Sequence, residues 1–140
     1  MSESRSFEQV NVGDELPPLD VPLTAAVVVG GALASRDFTP VHHDSATARA
    51  QGMQDVFMNI LTTNGYVSRY VTDWAGADSV VKGISVKLGA PNVVGDTMRM
   101  SGSVVASDET DRVVEIQVVG KNAWGNHVEG TVRVALPAGA

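Results

Sequence analysis

Four consecutive segments in the second half of the chain carry an apolar side chain at every second position. In the third of them, Val114, Ile116 and Val118 alternate with polar residues. Side chains of a strand point alternately to its two faces, so each segment is predicted to be a strand with one buried face. Turn residues separate the segments, which favours four antiparallel strands joined in sequence order. The segments are 79–88, 97–105, 112–120 and 127–136.

A helical period precedes these strands. Between Met53 and about Asp73, apolar residues recur at the spacing of one helix face. A helix of that length is about 30 Å long, the width of a small domain, and a sheet can bury its apolar face by curling around it. The sequence therefore predicts one α+β domain over residues 1–140, with a flexible start over about residues 1–8 and an antiparallel sheet wrapped around a long central helix.

Three shorter elements are predicted before the long helix. Val21–Leu23 has the composition of a short strand. Thr24 is a suitable N-cap for a helix over Ala25–Ala34, although the β-branched residues of that run favour a strand as the alternative. Asp44 is a suitable N-cap for a second helix over Ser45–Ala50. Since an open sheet has edges, we expect one edge to be available for pairing with another subunit.

The net charge and the composition limit the kinds of ligand and partner that the chain is expected to bind. The net charge of −6 argues against a nucleic-acid ligand, because a protein that binds one presents a basic face. The chain has no cysteine, which excludes disulfides and cysteine-based zinc sites. Its start lacks the apolar core of a signal peptide, and its longest apolar run, Ala25–Ala34, is too short to cross a bilayer. We expect a cytoplasmic protein without a membrane partner.

Titratable side chains suited to proton transfer crowd together between Ser35 and Asp44. Asp37 and His42 flank Pro40, and proline disfavours helical geometry at the residue before it. The resulting loop can direct a carboxylate and an imidazole toward one point, as general acid–base catalysis requires. The spacing alone leaves another interpretation open, in which Asp37 caps a turn and His42 is a surface residue.

Two other uses of this segment have less support. A metal site would need His42 or His43 together with Asp44. The remaining histidine, His127, is distant in the sequence, and the spacing of a zinc site is missing, so we expect no metal. A nucleophilic triad of Ser35 with His42 and the nearby carboxylate lacks the surrounding Gly-x-Ser-x-Gly turn.

Gly52 directly precedes the predicted long helix. Its backbone N–H is then one of the unpaired donors at a helix N-terminus, where the helix dipole favours negative charge. Such a donor can polarise a thioester carbonyl and hold an enolate oxygen. An ordinary break between two helices is the alternative interpretation of this glycine.

Other polar and aromatic positions give weaker signals. Trp74 and Trp124 are predicted to be packing residues rather than ligand platforms. The polar side of the helix, predicted to be exposed or at an interface, consists of Thr62, Thr63, Asn64 and Ser68. The candidate contacts for the phosphates of an anionic ligand are Lys82, Lys87, Arg99, Arg112 and Lys121.

Residues 35–44 resemble the hydratase motif of the MaoC-like, (R)-specific enoyl-CoA hydratases, which usually reads Gly-Asp-Phe-Asn-Pro-Ile/Leu-His. The likeness continues through residues 51–53 and 95–97 and covers nearly the whole chain. The resemblance implies the hot dog fold, in which a sheet wraps around a central helix. It also implies the hydration of an α,β-unsaturated acyl-CoA.

The resemblance assigns roles to single residues. Asp37 and His42 match the catalytic pair of the family, and Gly52 matches the glycine of its oxyanion hole. The family's asparagine at position 39 would help to fix the loop, so its absence is the departure that matters most. The departures from the usual motif are Arg36 for glycine, Thr39 for asparagine and Gln51 for histidine.

Three further segments resemble one branch of this family in particular. Residues 41–44, Asn59–Thr62 and Arg69–Gly76 are similar to the small subunit of actinobacterial steroid enoyl-CoA hydratases, which pairs with a larger hot dog subunit in cholesterol side-chain degradation. This implies an acyl-CoA substrate and no cofactor beyond the coenzyme A of that substrate. It also implies a heterotetramer of two small and two large subunits, or a homodimer. The alternatives are a non-catalytic subunit that completes a partner's pocket and an acyl-CoA thioesterase.

Overall fold

A five-stranded antiparallel sheet is the framework of the computed structural model, which describes residues 3–140. Its strands are β1 (Glu15–Pro22), β2 (Val80–Leu88), β3 (Thr97–Asp108), β4 (Val113–Asn122) and β5 (Gly125–Ala135). The helices are α1 (Ala25–Ala34), α2 (Ser45–Ala50) and α3 (Ile60–Ala75), with 3₁₀ turns at Phe7–Gln9 and Pro40–His42. The sheet wraps around α3, which confirms the predicted α+β architecture.

The strands lie in the order β1-β3-β4-β5-β2. Only β3, β4 and β5 form the predicted meander. The prediction that β2 begins it by pairing with β3 is wrong, because β2 pairs with β5 and β1 lies beside β3. The segment between β2 and β3 crosses the fold instead of turning tightly. Its Gly89 N–H donates to the carbonyl of His127, and its Gly95 N–H donates to the carbonyl of Leu23 at the end of β1.

The first strand is longer than the short strand predicted over Val21–Leu23. Pro17 and Pro18 lack N–H groups, and the register with β3 shifts between Leu16 and Leu19. A strand at the edge of a sheet tolerates such an interruption, which breaks the alternation that sequence analysis depends on. β1 forms one edge of the sheet and β2 forms the other.

The boundaries predicted for α1 and α2 are confirmed, and both caps are present. The Thr24 hydroxyl accepts the Val27 N–H at 3.1 Å, and the Asp44 carboxylate accepts the Ala46 N–H at 3.1 Å. Each cap satisfies one of the N–H groups that have no partner within the helix. Among residues 3–140, no helix has the length and apolar character needed to cross a membrane.

The long helix begins at Ile60, so the prediction that it starts at Met53 is wrong. The residues before it are irregular: Val56 is buried, and Phe57 forms an isolated bridge with Val93. Their side chains join the same core as the helical stripe. The apolar spacing therefore continues across two different conformations, which explains the error.

The main core lies between α3 and the concave face of the sheet. Val67 and Val71 of α3 are fully buried, as are Ile116, Val118 and Val132 of the strands. Burying one such side chain contributes about 1.5–3 kcal/mol. This interface holds α3, and everything attached to its first turn, in a fixed position relative to the sheet.

The N-terminal segment is attached to the end of α3. The Arg5 N–H donates to the Ala75 carbonyl at 2.9 Å, and Arg5 Nε donates to the Trp74 carbonyl at 2.8 Å. The guanidinium carbon lies 5.1 Å from the centre of the Trp74 ring. The Phe7 N–H also donates to the Pro137 carbonyl, and the Glu8 carboxylate accepts the Gly139 N–H, so this part of the segment expected to be flexible is held in contact. Met1 and Ser2 lie outside the described residues.

Candidate active site

Asp37 follows α1 in a tight turn. Ser35 ends the helix, Arg36 adopts a left-handed conformation with φ 56°, and the Asp37 N–H donates to the Ala32 carbonyl at 2.9 Å. Glycine reaches this conformation without steric cost, which accounts for the glycine that the motif usually has at position 36. The arginine preserves the turn at some strain, so Asp37 still leaves α1 in a defined direction.

His42 ends a 3₁₀ turn that Pro40 begins. The residue is 7% exposed, and its ring meets the Phe57 ring edge-on, with 4.9 Å between centroids. Its Nδ1 lies 2.7 Å from the Phe57 carbonyl oxygen. Because a carbonyl oxygen only accepts, Nδ1 carries the proton, and Nε2 of the neutral ring is left with its lone pair.

The two predicted catalytic side chains meet. His42 Nε2 lies 3.3 Å from Asp37 Oδ2, and both side chains are largely shielded from solvent. Hydrogen bonds from the Thr39 hydroxyl, the Asn59 amide and the Thr39 N–H lower the pKa of Asp37 to about 2. The carboxylate is therefore ionised at neutral pH. A carboxylate oxygen and an imidazole lone pair face the same point, where a water can donate a hydrogen bond to each.

Asn59 is a site residue that the sequence interpretation missed. It is the N-cap of α3, and its Nδ2 donates to Asp37 Oδ2 at 3.0 Å. An asparagine before an apolar helical run is a recognisable N-cap signal. The predicted helix starts at Met53, seven residues before the observed start at Ile60. Asn59 is an interior residue of that predicted helix, so its capping role was not predicted.

Gly52 does not open the long helix, so that part of the prediction is wrong. It lies in a turn after α2 with φ +87°, and its N–H donates to the Arg49 carbonyl at 3.0 Å. The donors at the start of α3 are the N–H groups of Ile60 and Leu61, for which no acceptor occurs within residues 3–140. The N-terminal donors therefore exist, but they belong to a different part of the chain.

A comparison with protein families matches the MaoC-like domain over residues 8–137. The chain belongs to the MaoC-like domain family. Over 125 residues it is 46% identical to the 3-oxo-4,17-pregnadiene-20-carboxyl-CoA hydratase beta subunit of Mycobacterium tuberculosis, which covers 89% of this chain and 95% of the relative. The predicted family and its steroid hydratase branch are confirmed.

Solved structures agree with this assignment. A chain of the ChsH1–ChsH2 complex from M. tuberculosis aligns with a TM-score of 0.87 and 45% identity, covering 90% of this chain and 98% of that one. The (R)-hydratase of A. caviae involved in PHA biosynthesis aligns with a TM-score of 0.85 and 25% identity, covering 93% and 99%. The fold is therefore the hot dog, and the relatives support a hydratase-type function for this MaoC-like protein.

Thr39 takes over the task that the MaoC-like motif usually gives to asparagine. Its hydroxyl donates to Asp37 Oδ1 at 2.7 Å, and its N–H reaches the same oxygen at 3.2 Å. The loop is thus fixed by a local hydrogen-bonded turn, so the departure does not remove the support of the carboxylate.

Removing the Thr39 hydroxyl is expected to raise the pKa of Asp37. Thr39→Val keeps the shape of the side chain but loses the donor that lowers this pKa most. Thr39→Ser keeps the donor and serves as the control. Titration of the Asp37 carboxyl carbon by NMR measures both variants. A Val variant that titrates like the Ser variant would show that the hydroxyl does not set the ionisation of Asp37.

The neighbouring polar residues form separate contacts. His43 Nε2 faces the Phe38 carbonyl, and Asp44 caps α2. His127 is buried on β5, where its Nε2 accepts the Thr63 hydroxyl proton at 2.8 Å and desolvation lowers its pKa. Ser35 Oγ donates to the Gly31 carbonyl at 2.7 Å, which does not suit a nucleophile. Within residues 3–140, no three side chains of the types that ligate metals cluster together.

Two of the candidate phosphate contacts, Arg99 and Lys121, are partners across β3 and β4, and the other three lie elsewhere. All five are exposed, and two already form ion pairs, Lys87 with Glu129 at 2.9 Å and Arg99 with Asp20 at 3.1 Å. Since Arg99 is already paired with Asp20, the pair that it forms with Lys121 does not identify a phosphate site. The predicted contacts with the coenzyme A phosphates therefore stay predictions.

An apolar groove adjoins the site between α1 and α3. Its volume is about 420 Å³, and Leu61, Gly65 and Tyr66 form part of its wall. Ser35 and Thr62 line the same groove, and both are hydrogen-bonded to Asn59. The groove thus begins beside the catalytic pair and offers an apolar surface to a ligand.

Proposed function

We propose that this MaoC-like chain carries the catalytic pair of an enoyl-CoA hydratase that acts on a steroid side-chain enoyl-CoA. The observation that carries the proposal is the approach of Asp37 Oδ2 to His42 Nε2 at 3.3 Å. An ionised carboxylate and an imidazole lone pair that face one point suit the activation of a water molecule. A purely structural subunit would need neither group.

In the proposed reaction, a water bound by both groups attacks the β-carbon of the substrate. As the water oxygen bonds to carbon, one water proton passes to Nε2 of His42, and the electron pair of the double bond moves toward the thioester oxygen. Asp37 remains ionised and stabilises the imidazolium that forms. The pair then returns one proton to the α-carbon, so the elements of one water are added and the enzyme is regenerated.

The thioester oxygen gains negative charge during this reaction and needs a donor. We assign that task to the free N–H groups of Ile60 and Leu61 in the first turn of α3, in place of Gly52. Asn59, which caps this turn, also touches Asp37, so the turn and the carboxylate are neighbours. A helix N-terminus favours developing negative charge through its dipole and its unpaired donors.

The substrate class and the partner rest on the relatives. The M. tuberculosis relative is named as a hydratase of a pregnadiene-carboxyl-CoA, and it is a beta subunit. The apolar groove beside Asn59 is compatible with a steroid acyl group. The outer edge of β2 pairs with no strand within residues 3–140, which is compatible with a second hot dog subunit. The coenzyme A is part of the substrate, so no separate cofactor is proposed, and a cytoplasmic location remains our expectation.

A direct assay tests the proposed function. The chain is purified alone and co-expressed with a hot dog partner, and each preparation is incubated with a steroidal enoyl-CoA and with crotonyl-CoA. Loss of the enoyl absorbance without release of free CoA thiol is expected, with the steroidal substrate preferred. Release of free thiol would indicate a thioesterase instead. If neither preparation consumes an enoyl-CoA, the hydratase assignment is wrong.

A further inference from the structure

Asn59 uses both ends of its side-chain amide. The residue is 2% exposed. Its Oδ1 accepts the Thr62 N–H at 3.0 Å and the Thr62 hydroxyl at 2.5 Å. Its Nδ2 donates to Ser35 Oγ at 2.9 Å and to Asp37 Oδ2 at 3.0 Å. The oxygen must face the backbone donor, which fixes the orientation of the amide and points its N–H groups at the carboxylate.

Helix capping alone does not explain this residue. Aspartate and serine cap helices about as well as asparagine, because capping requires only an acceptor. Asparagine places its capping acceptor and its N–H donors on two different atoms, so one residue can cap the helix with Oδ1 and donate from Nδ2 at the same time. The donor is directed at Asp37 Oδ2, the same oxygen that lies 3.3 Å from His42 Nε2.

We propose that Asn59 is a positioning residue for the reaction, one that aims Asp37 at His42 and keeps the carboxylate ionised. The expected effect on kcat rests on the proposed function, whereas the expected effect on the ionisation of Asp37 rests on the geometry alone. Thr39 holds Oδ1 of the carboxylate, and Asn59 holds Oδ2. Together they prevent the carboxylate from rotating away from the point where the water binds.

The same contact links the catalytic pair to the first turn of α3. Asn59 sits immediately before Ile60 and Leu61, whose N–H groups have no acceptor in the described part of the chain. The carboxylate and the donors proposed for the thioester oxygen are thereby held in one rigid unit. Within the described residues, the titratable group that faces Asp37 is His42, and the contacts from Thr39 and Asn59 are uncharged.

The test replaces the donor and keeps the cap. Asn59→Ser retains a capping oxygen, but its shorter side chain lacks the amide nitrogen that donates to Asp37 Oδ2, and its hydroxyl is placed to cap the helix. We expect the pKa of Asp37, measured by NMR titration of its carboxyl carbon, to rise toward the usual range. We expect kcat to fall about 10- to 100-fold, the effect of losing one hydrogen bond to a charged group, with KM little changed.

Two further variants separate positioning from stability. Thr24→Ala removes the N-cap of α1, which has no contact with Asp37, and is expected to lower Tm while leaving kcat and the Asp37 titration unchanged. Asn59→Asp keeps the cap and places a carboxylate beside Asp37. It is expected to raise the Asp37 pKa further, because like charges disfavour ionisation, and it provides the measurement if the serine variant does not fold.

The outcomes distinguish this inference from the proposed function. If the wild-type protein hydrates no enoyl-CoA, the proposed function is wrong, yet the titration of Asp37 still decides the inference. If the Asn59 variants titrate at Asp37 like the wild type, the inference is wrong even when the enzyme is active. A kcat loss in Thr24→Ala equal to that in Asn59→Ser would also overturn it.

Discussion

Replacing Asp37 with asparagine is expected to lower the kcat of enoyl-CoA hydration by about 10²- to 10⁴-fold. The substitution barely changes the shape of the side chain, and its oxygen can still accept both hydrogen bonds from Thr39. Its NH₂ group then faces the Asn59 amide and the His42 lone pair, where the carboxylate oxygen stood. The imidazole nitrogen is thus given a donor to bind in place of the water that it should activate.

His42→Ala is expected to cause a loss of similar size for a different reason, since it removes the group that accepts the water proton. His42 is buried against Phe57, so circular dichroism and Tm must accompany the kinetics. Each variant is assayed with the wild-type partner subunit. Near wild-type hydration by both variants in that mixture would mean that the chemistry takes place on the partner.

Trp74→Ala is expected to lower the free energy of unfolding by about 3–5 kcal/mol, the usual cost of removing a buried indole. Trp74 is 8% exposed and belongs to the main core near the end of α3. The substitution also removes the ring under the Arg5 guanidinium, which releases the N-terminal segment from one of its contacts. Urea unfolding of the isolated chain, followed by circular dichroism, measures the change.

Trp124→Ala is the matched control for this prediction. Trp124 is 53% exposed at the turn between β4 and β5, so its expected packing role is wrong for the isolated chain. Surface substitutions of this kind usually change stability by less than about 0.5 kcal/mol. Equal losses in the two variants would contradict the core position of Trp74. Both losses refer to the chain without a partner.

The elements that sequence analysis predicted well are those with local signals. Helices α1 and α2 have a capping side chain immediately before them, and their predicted limits agree with the structure. The strands β3, β4 and β5 have a period of two and short turns. In the site, Asp37 and His42 lie on either side of one proline, so their meeting depends on few backbone angles.

The errors arise where distant parts of the chain decide the outcome. The start of α3 at Ile60 is set by Asn59, while the preceding residues pair with the segment around Val93. Apolar spacing does not distinguish a buried extended segment from a buried helical turn. That single error misplaced the donors of the helix N-terminus at Gly52 and concealed the contact between Asn59 and Asp37.

The pairing of β2 has a consequence for the order in which the protein can fold during synthesis. Its only strand partner within residues 3–140 is β5, which is synthesised after the other four strands described here. Until Gly125–Ala135 has emerged, β2 has no strand to pair with and the sheet cannot close over that side of α3. The nascent chain therefore completes its sheet late, through pairing between strands that are distant in the sequence. A polypeptide truncated before β5 would leave β2 without a strand partner and exposed to aggregation.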